Sequence, residues 1–246
     1  VHLHRAQIAL GNHFICLEVS ANIEAYRDLM ASLPAEATLV AVSKFQANEA
    51  IESLYATGHR DFGENRVQEL AAKAAALPKD IRWHMIGHVQ TNKIKDFVSW
   101  VHLVHGVDRL KVLEVLQAEA AKAGRTVDAL LQVHIAQEET KFGFSPEELI
   151  PLLTRSALQA YPNVRIRGLM GMASFTQNQQ QVAREFAELR ALFLAGKEQL
   201  GLDYLDTLSM GMSGDWPLAI ANGSTLIRVG SALFGSRRVR CTLLLM

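Results

Sequence analysis

The sequence predicts an α/β fold, a single (β/α)8 barrel, and three observations carry that prediction. Short apolar, β-rich runs recur eight times between residues 38 and 229. Each is separated from the next by a stretch whose apolar positions follow helical spacing, which implies right-handed crossovers and a parallel sheet. Eight such units in about 200 residues fit the arithmetic of a closed barrel, with a doubly wound open sheet as the alternative.

The elements follow in order. An amphipathic stretch over residues 20–30 could supply a helix that covers the barrel. Residues 38–44 read as a buried strand, and apolar positions 47, 50, 51, 54 and 55 then recur at helical spacing until Gly58, a plausible helix stop. The remaining strand candidates are 60–62, 82–86, 100–104, 130–135, 164–169, 207–210 and 225–229. Helical patterns occupy 66–76, 92–98, 109–123, 146–156, 179–200 and 216–221. No linker, low-complexity segment or composition break divides the chain, so one domain is expected.

Composition narrows the function. The 246 residues are 49% hydrophobic and 20% charged, a globular balance, and 25 Lys+Arg offset 25 Asp+Glu. That neutrality disfavours a dedicated nucleic-acid or membrane-surface role. No apolar run approaches the ~18 residues needed to span a bilayer, and residues 8–19 lack the pattern of a secretory leader. Cys16 and Cys241 fit neither a metal nor a redox spacing. A soluble, cytoplasmic protein is expected.

In a barrel the active site lies at the C-terminal ends of the strands. Lys44 stands at the end of the first apolar strand, where partial desolvation would favour the neutral amine needed for a Schiff base. A lysine snorkelling to the rim is the plainer reading. Ser213-Gly214 opens a helix after the seventh strand, and Gly230-Ser231 follows the eighth. These are the two loops that often build a phosphate site in such barrels, although an N-cap and a turn glycine explain them equally well. Arg228, inside an apolar strand, needs either a core ion pair or a ligand. His84 and His88 are poorly spaced for a metal on a strand, and His102 and His105 read as core or rim. No metal site is expected.

Several ordered blocks resemble the pyridoxal phosphate homeostasis proteins. They are Ala41-Val42-Ser43-Lys44, Phe62-Gly63-Glu64-Asn65 with Val67-Gln68-Glu69, and Trp83-His84-Met85-Ile86-Gly87-His88-Val89-Gln90-Thr91-Asn92-Lys93. Further along come Lys141-Phe142-Gly143, Arg167-Gly168-Leu169-Met170, Leu208-Ser209-Met210-Gly211-Met212-Ser213 and Arg228-Val229-Gly230-Ser231-Ala232-Leu233-Phe234-Gly235. The resemblance implies a pyridoxal 5′-phosphate-binding barrel similar to the N-terminal domain of alanine racemase. In it Lys44 would hold the cofactor as a Schiff base. Ser213, Gly230 and Ser231 would anchor its phosphate, and Arg228 would face the pyridine nitrogen. Asn65 and His84 would line the mouth, with Met210 and Met212 as walls of the pocket.

An arginine beside that nitrogen weakens the ring as an electron sink. Tyr26, Tyr55, Tyr161 and Tyr204 all fall away from the strand ends, so no tyrosine stands ready as a racemase base. The resemblance therefore implies a cofactor carrier in vitamin B6 homeostasis that could pass pyridoxal phosphate to apo-enzymes. The alternatives are a weak amino-acid racemase and a barrel for another phosphate ester. Lys141 is a candidate second amine for transfer. By the same comparison, residues 20–238 form the barrel, while 1–19 and 239–246 are an atypical extension and tail to which no function is assigned.

Overall fold

The computed structural model describes residues 6–10, 13–17, 20–138, 142–201 and 203–235. Two strands, β1 (Ala6–Leu10) and β2 (His13–Leu17), pair antiparallel ahead of the barrel. Helix α1 (Ile23–Ser32) follows, opened by Asn22, whose side chain accepts from the Ala25 N–H. The Asn22 N–H also donates to Leu233 O at 2.7 Å, fastening α1 to the end of the barrel chain.

The barrel itself begins with β3 (Thr38–Val42), α2 (Asn48–Tyr55), β4 (Asp61–Glu64), α3 (Val67–Ala76) and β5 (Arg82–Met85). Next come β6 (Leu103–Val107), α4 (Leu110–Lys122), β7 (Val127–Val133), α5 (Pro146–Leu149) and α6 (Arg155–Gln159). It ends with β8 (Val164–Gly171), α7 (Gln179–Leu200), β9 (Thr207–Ser209), α8 (Trp216–Ala221), β10 (Leu226–Val229) and α9 (Ser231–Phe234). The eight strands β3 to β10 pair in parallel and close, because β10 bonds both β9 and β3. The (β/α)8 expectation holds, and closure excludes the open doubly wound sheet.

Several elements differ from the sequence expectation, among them the fifth strand, which lies at 127–133 instead of 130–135, and three of them for evident local reasons. The helix expected over 146–156 is broken, because Pro151 has no N–H to donate and Thr154 caps a fresh start at α6. Residues 91–96 wind as a 3-10 helix instead of an α-helix. The fourth strand lies at 103–107 instead of 100–104, because Trp100 and Val101 still donate to Phe97 O and complete the preceding turn. His105 and Gly106 are therefore within the strand, not beyond it.

Strand alternation sorts the side chains into two cores. Outward-facing Leu39, Phe62, Met85, Val104, Leu131, Leu208 and Ile227 pack under the helices as one large cluster. Val40, Leu103, Leu130, Met170 and Leu226 fill part of the barrel interior, with Ile86 and Met172 against them. In β8 the register with β7 slips so that Ala129 faces Ile166 but Leu130 faces Gly168, making Arg167 the extra residue of a bulge. Gly168 adopts φ +155, and a Cβ there would lie 1.8 Å from Thr207 O, so glycine is required.

Candidate functional site

Lys44 sits in the turn just past β3, half-buried, and the backbone on either side of it is held from α3. Lys73 is nearly sealed in the protein and donates to Ser43 O at 2.8 Å, to Glu64 Oε1 at 2.7 Å and to Glu69 Oε1 at 2.9 Å. The Ser43 hydroxyl donates to the same Glu64 oxygen at 2.6 Å, and the Phe45 N–H donates to Glu69 at 2.6 Å. Phe45 is held at φ +64, a left-handed conformation that is strained for a bulky residue and is characteristic of functional turns. Burial pushes the Glu64 carboxyl above the usual range even with Lys73 beside it. Sequence reading quoted Glu64 and Glu69 in a motif but missed the bracket they form with Lys73. The signal available was the i,i+4 spacing of Glu69 and Lys73 on a helix opening directly after a strand end.

The two suspected phosphate loops meet. The Gly230 N–H donates to Ser213 Oγ at 3.2 Å, and Ser231 begins α9 immediately after it. A Cβ on Gly230 would lie 3.1 Å from Val42 O, so this loop presses against the end of β3, two residues from Lys44. β3 and β10 are neighbours, with Arg228 opposite Val40 and Val229 opposite Ala41. Asn65 is half-buried at the end of β4, where Gly87 lets the following strand's loop approach. A Cβ on Gly87 would come within 2.3 Å of Asn65 O.

Arg228 points into the barrel and is 4% exposed. One terminal nitrogen donates to Ser209 Oγ in a very short contact, and the other donates to Gly171 O at 3.1 Å. Burial pushes its guanidinium down to about 10, so it remains cationic at neutral pH.

Two of the expected site residues sit deeper than the mouth. His84 does not share the rim with Asn65. It is 2% exposed inside the barrel, with Nε2 on Asp61 Oδ1 at 3.1 Å and Nδ1 against His105 Nε2 at 3.0 Å. Asp61 is the first residue of β4, so the His84 ring is engaged toward the end of the barrel opposite the mouth. Met210 is no pocket wall either. Ser209 takes the inward position, so Met210 turns outward into the large cluster under the helices, fully buried. The methionines packed inside the barrel are Met170 and Met172, while Met212 is 36% exposed near the mouth. Lys141 and the tail 239–246 lie outside the described residues.

Among the described residues, Asp61, His84 and His102 form the one grouping with a metal-type donor set. Both Asp61 oxygens already accept from the Arg82 guanidinium, at 2.7 and 2.5 Å. That cation opposes a second positive charge at the same carboxylate, so the corner reads as an ion pair. Among the described residues no helix is long and apolar enough to cross a membrane.

The family model "alanine racemase, N-terminal domain" matches residues 18–238. The pyridoxal phosphate homeostasis protein of Pseudomonas aeruginosa is 40% identical over 221 residues, which cover 89% of this chain and 93% of that protein. The protein of the same name from Synechocystis is 40% identical over 214 residues, covering 86% and 97%. The structure of PipY from Synechococcus elongatus with pyridoxal phosphate bound superimposes with TM-score 0.79 at 40% identity, over 86% of this chain and 99% of that one. Alanine racemase from Bartonella henselae, at 20% identity and TM-score 0.65 over 89% of this chain and 62% of that one, shares the fold. The chain belongs to the pyridoxal phosphate homeostasis protein family, within the larger family defined by the alanine racemase N-terminal domain.

Proposed function

We propose that this protein binds pyridoxal 5′-phosphate at the barrel mouth and serves vitamin B6 homeostasis in the cytoplasm as a holder of the cofactor, not as a catalyst. The observation that carries the reading is the adjacency of Lys44 and the Ser213–Gly230 contact at the ends of neighbouring strands. An amine and a cluster of phosphate-type donors stand side by side, with a cationic side chain below them. The fit is chemical as well as spatial. Gly230, lacking a Cβ, lets its loop sit close against Val42 at the end of β3, Ser213 and Ser231 bring hydroxyls, and Arg228 is a buried cation with no carboxylate in hydrogen-bond contact among the described residues.

In this reading bound cofactor would supply a reactive aldehyde, and Lys44 would supply the amine that holds it. The Glu64–Lys73–Glu69 bracket holds the Ser43–Phe45 backbone so that the Lys44 side chain starts from a fixed point. Ser213, Gly230 and Ser231 bind the phosphate through hydroxyl and N–H donors. Arg228 faces the pyridine nitrogen, where a fixed cation disfavours protonation and so restrains the chemistry most enzymes draw from this cofactor. Asn65 contributes from the rim. His84 acts from below, not in the pocket wall. Residues 20–238 are the unit that does this work, and apo forms of cofactor-dependent enzymes are the receivers we propose.

The tyrosines support a holder over a racemase. Tyr55 donates to Asp80 at 2.7 Å and Tyr26 packs on His59, both on the outer helices, while Tyr161 and Tyr204 precede β8 and β9. The test is to load the protein with pyridoxal phosphate, reduce it with borohydride and map the peptides. An adduct on Lys44 is expected. Loading without an adduct there overturns the assignment and favours a barrel for another phosphate ester. Racemisation of alanine, lysine or serine well above the rate with free cofactor, lost in Lys44→Ala, would make it an enzyme.

A further inference from the structure

A continuous line of buried polar groups crosses the barrel interior. It runs from Arg228 through Ser209 Oγ to His105 Nδ1 at 3.2 Å, from His105 Nε2 to His84 Nδ1 at 3.0 Å, and from His84 Nε2 to Asp61 Oδ1 at 3.1 Å. Arg82, half-exposed at the far end, closes it. His105 and Ser209 are fully buried.

The two termini constrain the sense of the bonds between them, and the fully satisfied arrangement keeps both rings neutral. A guanidinium only donates and a carboxylate only accepts. With Arg228 donating to Ser209 Oγ, the serine O–H is free to donate to His105 Nδ1. His105 then carries its proton on Nε2 and donates to His84 Nδ1, and His84 donates from Nε2 to Asp61. Every group is satisfied, and both rings are neutral. If His84 were instead an imidazolium, His105 would have to donate from Nδ1 to Ser209. That oxygen would accept twice, and its own proton would have no acceptor among the described residues. Burial drives the His105 imidazole well below its ordinary range, and the neighbouring His84, Arg228 and His102 add to that in turn, in keeping with a neutral His105.

We propose that His105 and His84 are positioning residues which, as two neutral Nε2-protonated rings, tie Arg228 through Ser209 to Asp61 at the opposite end of the barrel. The chain fixes the direction of the Arg228 head group and relays the Asp61 charge toward it. The tie rests on the reading of Arg228 as the residue facing the cofactor nitrogen. The groups facing the two rings are Asp61, Arg82, His59 and His102 at one end and Arg228 at the other, with Asp128 farther off and Asp215 acting on Arg228 through its charge.

The first test needs no cofactor. Long-range nitrogen–proton NMR of the histidine rings in the unloaded protein at neutral pH should show His84 and His105 both neutral and both protonated on Nε2. An imidazolium, or an Nδ1-protonated ring at either position, overturns the relay. The second test uses Asp61→Asn and His105→Leu, with circular dichroism and melting to establish that each is folded. Loaded with pyridoxal phosphate, the folded variants should shift the pH profile of the bound cofactor's absorbance. His105→Leu should also weaken affinity by about tenfold or more, the scale of one misplaced hydrogen bond to a charged group. A folded variant with an unchanged pH profile overturns the link to Arg228. Failure of the protein to bind pyridoxal phosphate at all would instead strike the binding proposal, and the NMR result distinguishes the two.

Discussion

Replacing Lys73 with methionine is the sharpest probe of how Lys44 is held. The change keeps the volume and removes one charge and three hydrogen bonds, to Ser43 O, Glu64 and Glu69. The side chains of Lys73 and Glu64 are 7% and 0% exposed, so solvent screens the pair very little. Removing one partner of such a pair costs about 3–5 kcal/mol, because the remaining charge is stranded. At an m-value of about 2 kcal/mol/M, the urea midpoint falls by roughly 1.5–2.5 M.

The pH dependence has a definite sign. Glu64 already holds its proton to higher pH than a free carboxyl, and without Lys73 it will hold it higher still. An acid whose folded value is raised loses stability as pH climbs from the unfolded value toward the folded one. The cost of Lys73→Met should therefore be smaller near pH 4.5, about 1 kcal/mol for each hydrogen bond lost once Glu64 is protonated, and should grow toward pH 7.5. Adding Glu64→Gln should recover most of the neutral-pH loss. Urea titrations at both pH values decide the matter. A loss below 1 kcal/mol at pH 7.5, or a double variant no more stable than the single one, refutes the reasoning.

Three further outcomes are expected. Gly168→Ala should destabilise the fold by at least about 3 kcal/mol, since its Cβ would meet Thr207 O at 1.8 Å at a φ that alanine rarely adopts; equilibrium unfolding measures it. Gly230→Ala should leave stability within about 1 kcal/mol but weaken pyridoxal phosphate binding roughly tenfold, read by fluorescence titration, because Val42 O at 3.1 Å forces the loop to move only slightly. For Asp61, burial alone would raise the carboxyl, but the Arg82 and His84 hydrogen bonds outweigh it and hold it well below the usual range. Its stabilisation is present above the unfolded value near 4 and lost as pH falls below it, so Asp61→Asn should flatten the acid limb of the stability curve.

The barrel was legible because its signal is local. Strand alternation, helix spacing and glycine stops each lie within a few residues, and closure follows once eight parallel strands must lose their edges. Lys44, Ser213, Gly230 and Arg228 were legible for the same reason: each sits at or next to a strand end whose position the pattern gives. The burial of His84 and the outward packing of Met210 are harder to read, because facing is a parity question that an error of one residue reverses. Ser209 takes the inward position on β9 only because Arg228 and His105, from two other strands, require its hydroxyl. Lys73 was missed because its partners come from three separate segments brought together by the fold.

That dependence on partners explains why the interior is divided. Arg228 cannot be buried among Val40, Leu103, Leu130, Met170 and Leu226 alone, because an unpaired guanidinium would lose several kcal/mol of hydration. No carboxylate hydrogen-bonds it among the described residues, so its direct contacts are Ser209 and the Gly171 carbonyl, with the two imidazoles leading on to Asp61, while Asp215 favours its charge without touching it. Once the arginine is placed there, each following residue is constrained by the one before it. Removing any middle member strands its neighbours, whereas an all-apolar interior would have been the simpler way to fill the same volume. The polar line is therefore best understood as the structural consequence of keeping one cation under the mouth.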